Sequence, residues 1–127
     1  MAIKKILIVD DSPTERHFLG ELLTKHGFQI MTLESGEEAV AKAADLMPDL
    51  ILMDVVMPEK NGIEALCEIK ASQPTVEVIM VTSNSDPETV QESIQNGACG
   101  FIIKPFNSAR VLDTLEKIGA RLRQKKP

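Results

Sequence analysis

The chain contains no tryptophan and no tyrosine, and four phenylalanines make up its whole set of large aromatic side chains. Little is therefore available to stack against a flavin or similar ring. Cysteine is equally scarce. Cys67 and Cys99 stand apart with no Cys-x-x-Cys, the pattern of free, buried thiols in a reducing cytoplasm. No apolar run approaches the roughly 20 residues of a membrane span. The start, Met1-Ala2-Ile3-Lys4-Lys5-Ile6, runs straight into strand-like sequence with no secretory signal. An excess of positive charge is also missing. A net charge of -5 argues against a general nucleic-acid binder. There is no internal repeat and no low-complexity segment. What remains is a globular composition, 43% hydrophobic and 26% charged over 127 residues, enough for one domain with its own core.

That domain is organised around Asp49-Leu50-Ile51-Leu52-Met53-Asp54-Val55-Val56-Met57-Pro58. An apolar run of strand length, without alternation, reads as a central parallel strand buried on both faces. It ends on Asp54, and a carboxylate there is costly unless paired or coordinated. In chain order, Ile6–Val9 forms a first strand followed by Asp10-Asp11. Ser12-Pro13-Thr14-Glu15 opens a helix in the manner of a capping box, with Phe18, Leu19, Leu22 and Leu23 on its apolar face and Gly27 ending it. Gln29–Leu33 is a second strand, near an edge because of Gln29 and Thr32, and Ser35-Gly36-Glu37-Glu38 opens a helix to about Leu46. After the third strand, Pro58, Asn61 and Gly62 mark a loop, and Ile63, Leu66 and Ile69 a third helix. Val76–Val81 is a fourth strand ending in Thr82-Ser83-Asn84-Ser85. Asp86-Pro87-Glu88 starts a fourth helix that Gly97 ends. Phe101–Ile103 is a fifth strand, followed by Lys104-Pro105 and a last helix from about Ser108, with Val111, Leu112, Leu115 and Ile118 inward. Residues from about 121 to 127 form a basic, frayed end. Five strand-then-helix units predict an α/β fold: a doubly wound, five-stranded parallel sheet with helices on both faces, in the flavodoxin-like order 2-1-3-4-5.

In that order the strand ends deliver Asp10 and Asp11, Asp54, Thr82 and Lys104 to one edge, where open α/β sheets collect ligands. A dinucleotide fold would carry Gly-x-Gly-x-x-Gly in the first turn. Here Asp10-Asp11-Ser12-Pro13 would repel a bare phosphate and attract a hard divalent cation such as Mg²⁺ or Mn²⁺. A cation plus a lysine would then welcome a phosphoryl group, and a carboxylate in such a site can itself be the nucleophile. Taken singly, each residue has a plainer reading: a helix-terminus aspartate, a strand-end threonine, a surface lysine, a core phenylalanine. His17 and His26 have no second ligand motif and read as surface or packing residues. The case for chemistry rests on the five groups arriving together.

Asp10-Asp11, Asp54, Thr82 and Lys104-Pro105 together resemble the receiver domain of bacterial two-component response regulators, most closely its stand-alone, CheY-like members. The resemblance covers essentially the whole chain. It implies that Asp54 accepts a phosphoryl group from a sensor histidine kinase, with Mg²⁺ bound by Asp11, Asp54 and the backbone carbonyl of Val55, and Asp10 assisting through water. It further implies that Lys104 contacts the phosphoryl group, that Thr82 moves to meet it, that Phe101 rotates inward behind it, and that the Lys104-Pro105 bond is cis. Val56 and Asn84, two residues beyond Asp54 and Thr82, occupy the positions that tune phosphoryl lifetime. Phe101 stands where motor-binding chemotaxis members often carry tyrosine, and without a hydroxyl it speaks against flagellar-motor binding.

The expectation is thus a cytoplasmic signalling protein in a phosphorelay, with chemotaxis and motility as one candidate pathway, that promotes only its own phosphorylation and dephosphorylation. It would meet a downstream protein through the face of the fourth helix, fifth strand and fifth helix, as a monomer or as a dimer on phosphorylation, with no direct nucleic-acid or membrane contact. The alternative is a receiver with a DNA-binding or enzymatic output domain beyond Pro127. A metal-dependent phosphatase is disfavoured because Val56 offers no second acid beside Asp54, and a flavin carrier because the first turn is acidic.

Overall fold

A computed structural model describes residues 3–57, 60–83 and 87–124. The elements follow the expected alternation: β1 (Lys5–Val9), α1 (Pro13–Lys25), β2 (Gln29–Leu33), α2 (Gly36–Leu46), β3 (Leu50–Asp54), α3 (Gly62–Ser72), β4 (Glu77–Thr82), α4 (Pro87–Gln95), β5 (Gly100–Ile103) and α5 (Ser108–Gln124). The five strands pair in parallel in the order β2-β1-β3-β4-β5. β4 runs one residue later than Val76–Val81 and β5 begins one residue earlier, at Gly100. The expected basic end is helical as far as Gln124, and only 125–127 of it lies outside the described residues.

Two cores explain why β1, β3 and β4 read as unbroken apolar runs. On one face Leu7, Val9, Ile51, Met53, Val78 and Met80 pack against Ala39 and Ala43 of α2 and Ala65, Leu66 and Ile69 of α3, with α4 beside α3. On the other, Ile6, Ile8, Leu50, Leu52, Ile79 and Val81 meet Leu19 and Leu23 of α1 and Val111, Leu115 and Ile118 of α5. Every residue of β3 is buried. Each such aliphatic side chain contributes about 1.5–3 kcal/mol of transfer free energy, so the central strands are fixed in register from both sides. Asp49 pins the start of β3 to β1: its carboxylate accepts the Lys4 and Lys5 N–H groups at 2.9 and 3.0 Å.

Three local expectations change. Phe18 lies partly outside the α1 core face, 39% exposed, with its ring 5.9 Å from that of Phe106. The thiols are not both buried: Cys67 is exposed on α3 and Cys99 is only partly covered. The glutamate of the Ser12–Glu15 capping box does not turn back to its cap. Ser12 Oγ accepts the Glu15 N–H at 3.4 Å, but Asp10 Oδ1 takes the Ser12 N–H at 2.9 Å and leaves the Glu15 carboxylate free to turn elsewhere. The full reciprocal box forms instead at α3, between Asn61 and Glu64. Gly27 and Gly97 close α1 and α4 with positive φ of 92° and 105°, a conformation that favours glycine.

Candidate functional site

Parallel pairing places the carboxyl ends of β1, β3, β4 and β5 along one edge. Asp10 follows β1, and its N–H donates to the Leu33 carbonyl at 3.2 Å. Arg16 of α1 donates to the Asp10 carbonyl at 2.7 Å and pairs with Glu34 at 3.3 Å, tying the first turn to the end of β2. Asp54 closes β3. Val55 N–H donates to the Val81 carbonyl at 3.0 Å, and the Val55 carbonyl accepts the Gly62 N–H at 2.8 Å, so the backbone beyond Asp54 is held on both sides. Thr82 ends β4 fully buried, and its carbonyl accepts the Lys104 N–H at 2.8 Å. The Lys104–Pro105 peptide bond is cis.

Lys104 gathers the site. Its ammonium lies 2.5 Å from Glu15, 3.3 Å from Asp54 and 3.5 Å from Asp10. Carboxylate oxygens of Asp10, Glu15 and Asp54 approach within 4.8 Å of one another. The structure therefore brings together Asp10, Asp54 and Lys104 as the sequence implied, and adds Glu15, whose capping signature concealed it. Asp11 is exposed and stands outside this close group, near enough only to bear on Asp54 electrostatically. A carboxylate in that turn keeps more of its hydration by facing water. Phe101 is half-buried against the α3 side of the sheet, and Val56 is 64% exposed beside the site. Asn84 lies outside the described residues, as do Pro58 and Asp86.

Burial pushes the Asp10 carboxyl up to about 7, helped by its hydrogen bond with Glu15 and by the Asp54 charge, and opposed by Ser12 N–H and Lys104. Asp54 is also raised by burial, with Lys104 pulling the other way. For Glu15, burial is outweighed by hydrogen bonds to Asp10 and Lys104, and its acid form is disfavoured. For Lys104, burial is likewise outweighed by Glu15, Asp54 and Asp10, which hold it charged. Asp10 therefore holds its proton into the neutral range, hydrogen-bonded to Glu15. Three hard oxygen donors gathered at one sheet edge form a donor set that suits a divalent cation.

This has a measurable consequence. The unfolded chain releases the Asp10 proton near pH 4, whereas the folded chain keeps it to about 7. Between those values the folded state binds more protons, so this group's contribution to stability falls as pH rises. With a chelator present, Asp10→Asn is expected to gain on the wild type between pH 5 and 8, by about 1–3 kcal/mol at about 1.4 kcal/mol per unit of separation. Paired melting curves test it; a constant difference across that range would contradict the electrostatics.

Residues 6–116 match the family model for the response regulator receiver domain. The chemotaxis protein CheY of Thermotoga maritima is 40% identical over 116 residues, covering 91% of this chain and 97% of that protein. CheY of Bacillus subtilis is 41% identical over 114 residues, covering 89% and 95%. Among solved structures, Vibrio cholerae CheY4 superposes with a TM-score of 0.87 at 34% identity, covering 92% of this chain and 99% of that one. The CheY of Borrelia burgdorferi, in a complex with CheX, BeF3 and Mg²⁺, gives 0.87 at 33% identity, covering 91% and 88%. With the fold, strand order and clustered acids already in place, these likenesses establish that the chain belongs to the response regulator receiver domains, the CheY-like signalling modules of two-component systems.

Proposed function

We propose that the chain is a single receiver domain whose Asp54 accepts a phosphoryl group from a sensor histidine kinase, and that this event switches its binding to a downstream protein. The observation that carries this reading is the Asp54 carboxylate, buried at the end of the central strand with Lys104 at 3.3 Å and two further acids within 4.8 Å. An Asp54 oxygen would attack phosphorus while the bond to the donor imidazole nitrogen breaks and its electron pair stays on the imidazole. Lys104 would meet the phosphoryl oxygens as a fixed positive charge, and the Thr82 hydroxyl would donate to them. Asp10, Asp54, the Val55 carbonyl and Asp11, turned inward, would hold Mg²⁺, which neutralises phosphoryl charge when bound. The Borrelia relative seen with Mg²⁺ and BeF3 supports that choice of ion. The role in this reading is signal transduction rather than turnover of a substrate, since the phosphoryl group ends on the chain's own Asp54.

The switch would pass from Thr82 to Phe101. Phe101 lines a groove of about 620 Å³ with Val90 and Ile94 of α4 and Arg121 of α5, and Ile94 is 58% exposed. This is the face proposed to receive the downstream partner. The direct test is intact mass after incubation with acetyl phosphate and Mg²⁺. Gain of one phosphoryl group is expected, and no gain under these conditions would overturn the reading.

Val56 and Asn84 are proposed to set how long the phosphoryl group lasts. Hydrolysis needs a water held in line with the Asp54 acyl phosphate, and the Val56 side chain can neither accept a proton nor orient that water. Val56→Asn is expected to speed phosphate release by about ten- to a hundredfold. Release rates of the two phosphorylated forms in Mg²⁺ test this; an unchanged or slower rate would remove Val56 from the control of lifetime.

A further inference from the structure

The site contains a carboxylate whose hold on Lys104 the phosphoacceptor reading does not use. Glu15 sits in the first turn of α1, and its carboxylate is the nearest of the three acids around the Lys104 ammonium: 2.5 Å, against 3.3 Å for Asp54 and 3.5 Å for Asp10. It is free to be there because Asp10, not Glu15, caps the Ser12 N–H. A lysine ammonium has only three N–H donors, and in this arrangement all three have an acid within reach. We propose that Glu15 is a positioning residue that holds Lys104 toward α1, competes with the phosphoryl group for it, and thereby slows phosphorylation of Asp54. The inference rests on Asp54 being the acceptor.

The competition is a matter of charge and geometry. A phosphoryl group arriving at Asp54 brings oxygens that need the ammonium, and each hydrogen bond to them must be released from a carboxylate. Glu15 is the natural one to lose, being the outermost of the three: its side chain is 29% exposed, against 5% for Asp54 and 3% for Asp10.

Glu15→Gln keeps the shape, removes the charge and leaves only a weak amide acceptor for Lys104. At saturating Mg²⁺, so that changes in cation affinity drop out, it is expected to accelerate phosphorylation by acetyl phosphate about three- to tenfold. A structural role would not predict the second arm: in a Lys104→Ala background the same substitution is expected to change the rate less than twofold, because the competition is gone. Glu15→Asp, one methylene shorter, is expected to behave as Gln does. A third arm needs no phosphoryl group. The Lys104 ammonium resonance of the metal-free protein is expected to shift in Glu15→Gln and to stay in place in a distant control such as Glu21→Gln. An unchanged or slower rate in Glu15→Gln, equal acceleration in the Lys104→Ala background, or an unmoved Lys104 resonance would each overturn the proposal. Failure of Asp54 itself is told apart from these, because then the wild type takes up no phosphoryl mass while the resonance still shifts.

Discussion

Asp54→Asn is expected to abolish phosphoryl incorporation while leaving the fold at least as stable. Asparagine matches the aspartate in shape and loses the anionic oxygen that would attack phosphorus, so the remaining rate should fall by on the order of a thousandfold or more. Stability should move the other way. Burial raises the Asp54 pKa against the pull of Lys104, so the ionised carboxylate is less favourable in the folded chain than in the unfolded one. Removing that charge also eases repulsion among Asp10, Glu15 and Asp54, whose oxygens lie within 4.8 Å of one another. Lys104 loses one partner and keeps Glu15 and Asp10. Intact mass after treatment with acetyl phosphate and Mg²⁺, alongside melting curves of both forms, separates loss of chemistry from loss of structure. Phosphorylation of the Asn form at the wild-type rate would move the acceptor to another carboxylate of the cluster. A large fall in melting temperature would show instead that the Asp54–Lys104 pair stabilises the fold.

The opposing directions of these two effects fit a site that works by carrying more negative charge than its surroundings can balance. The chain tolerates Asp10 and Asp54 at buried positions because Lys104 reaches both from the end of β5, and because Asp10 keeps a proton into the neutral range. A cation and a phosphoryl group would each relieve a different part of that imbalance.

Most of the fold could be read from the sequence because burial on both faces leaves strands such as Leu50–Asp54 with no polar interruption, and because Gly27 and Gly97 stop helices for a local reason. The convergence of Asp10, Asp54 and Lys104 followed from topology alone, since parallel strands in this order deliver their ends to one edge. Glu15 could not be read in the same way. Ser-x-x-Glu ahead of an apolar helix signals a capping box, and only the structure shows that Asp10 has taken the Ser12 N–H and released the glutamate toward Lys104. The same pattern at Ser35 also fails to close on itself, as Glu38 accepts from Glu34 N–H instead. Asp11 illustrates the converse. Its place beside Asp10 gave no sign of how far the two would differ in burial: Asp10 is buried and Asp11 is exposed. Cys67 was expected inside the core because thiols usually are, yet it falls on the outer side of α3.

Gly62 is a further residue whose importance lay hidden, since a glycine after asparagine reads merely as a loop. It begins α3, and its N–H donates to the Val55 carbonyl at 2.8 Å, directly beneath the acceptor residue. A methyl group added there would come within 2.1 Å of the Asp54 carbonyl oxygen and 2.9 Å of both the Asp54 carbonyl carbon and Val55 Cα. All three are backbone atoms, so no side chain can swing aside to make room. Gly62→Ala must push α3 away from the end of β3 or displace Asp54 itself. Overpacking of this kind costs about 1–3 kcal/mol, occasionally more. For a domain of this size that corresponds to a fall of roughly 3–15 °C in melting temperature. Phosphorylation should drop as well, because the Asp54 and Val55 backbone would no longer hold its place. Gly20→Ala is the matched control. Gly20 lies within α1, where the nearest atom to an added methyl is 3.9 Å away on the Ile30 side chain. There alanine should be neutral or stabilise by about 0.4–1 kcal/mol, through reduced freedom of the unfolded chain and better helix propensity. Melting curves of the two variants, with phosphorylation rates beside them, make the comparison. If Gly62→Ala proved as stable and as reactive as Gly20→Ala, the close approach of α3 to Asp54 would not be what holds the acceptor in position.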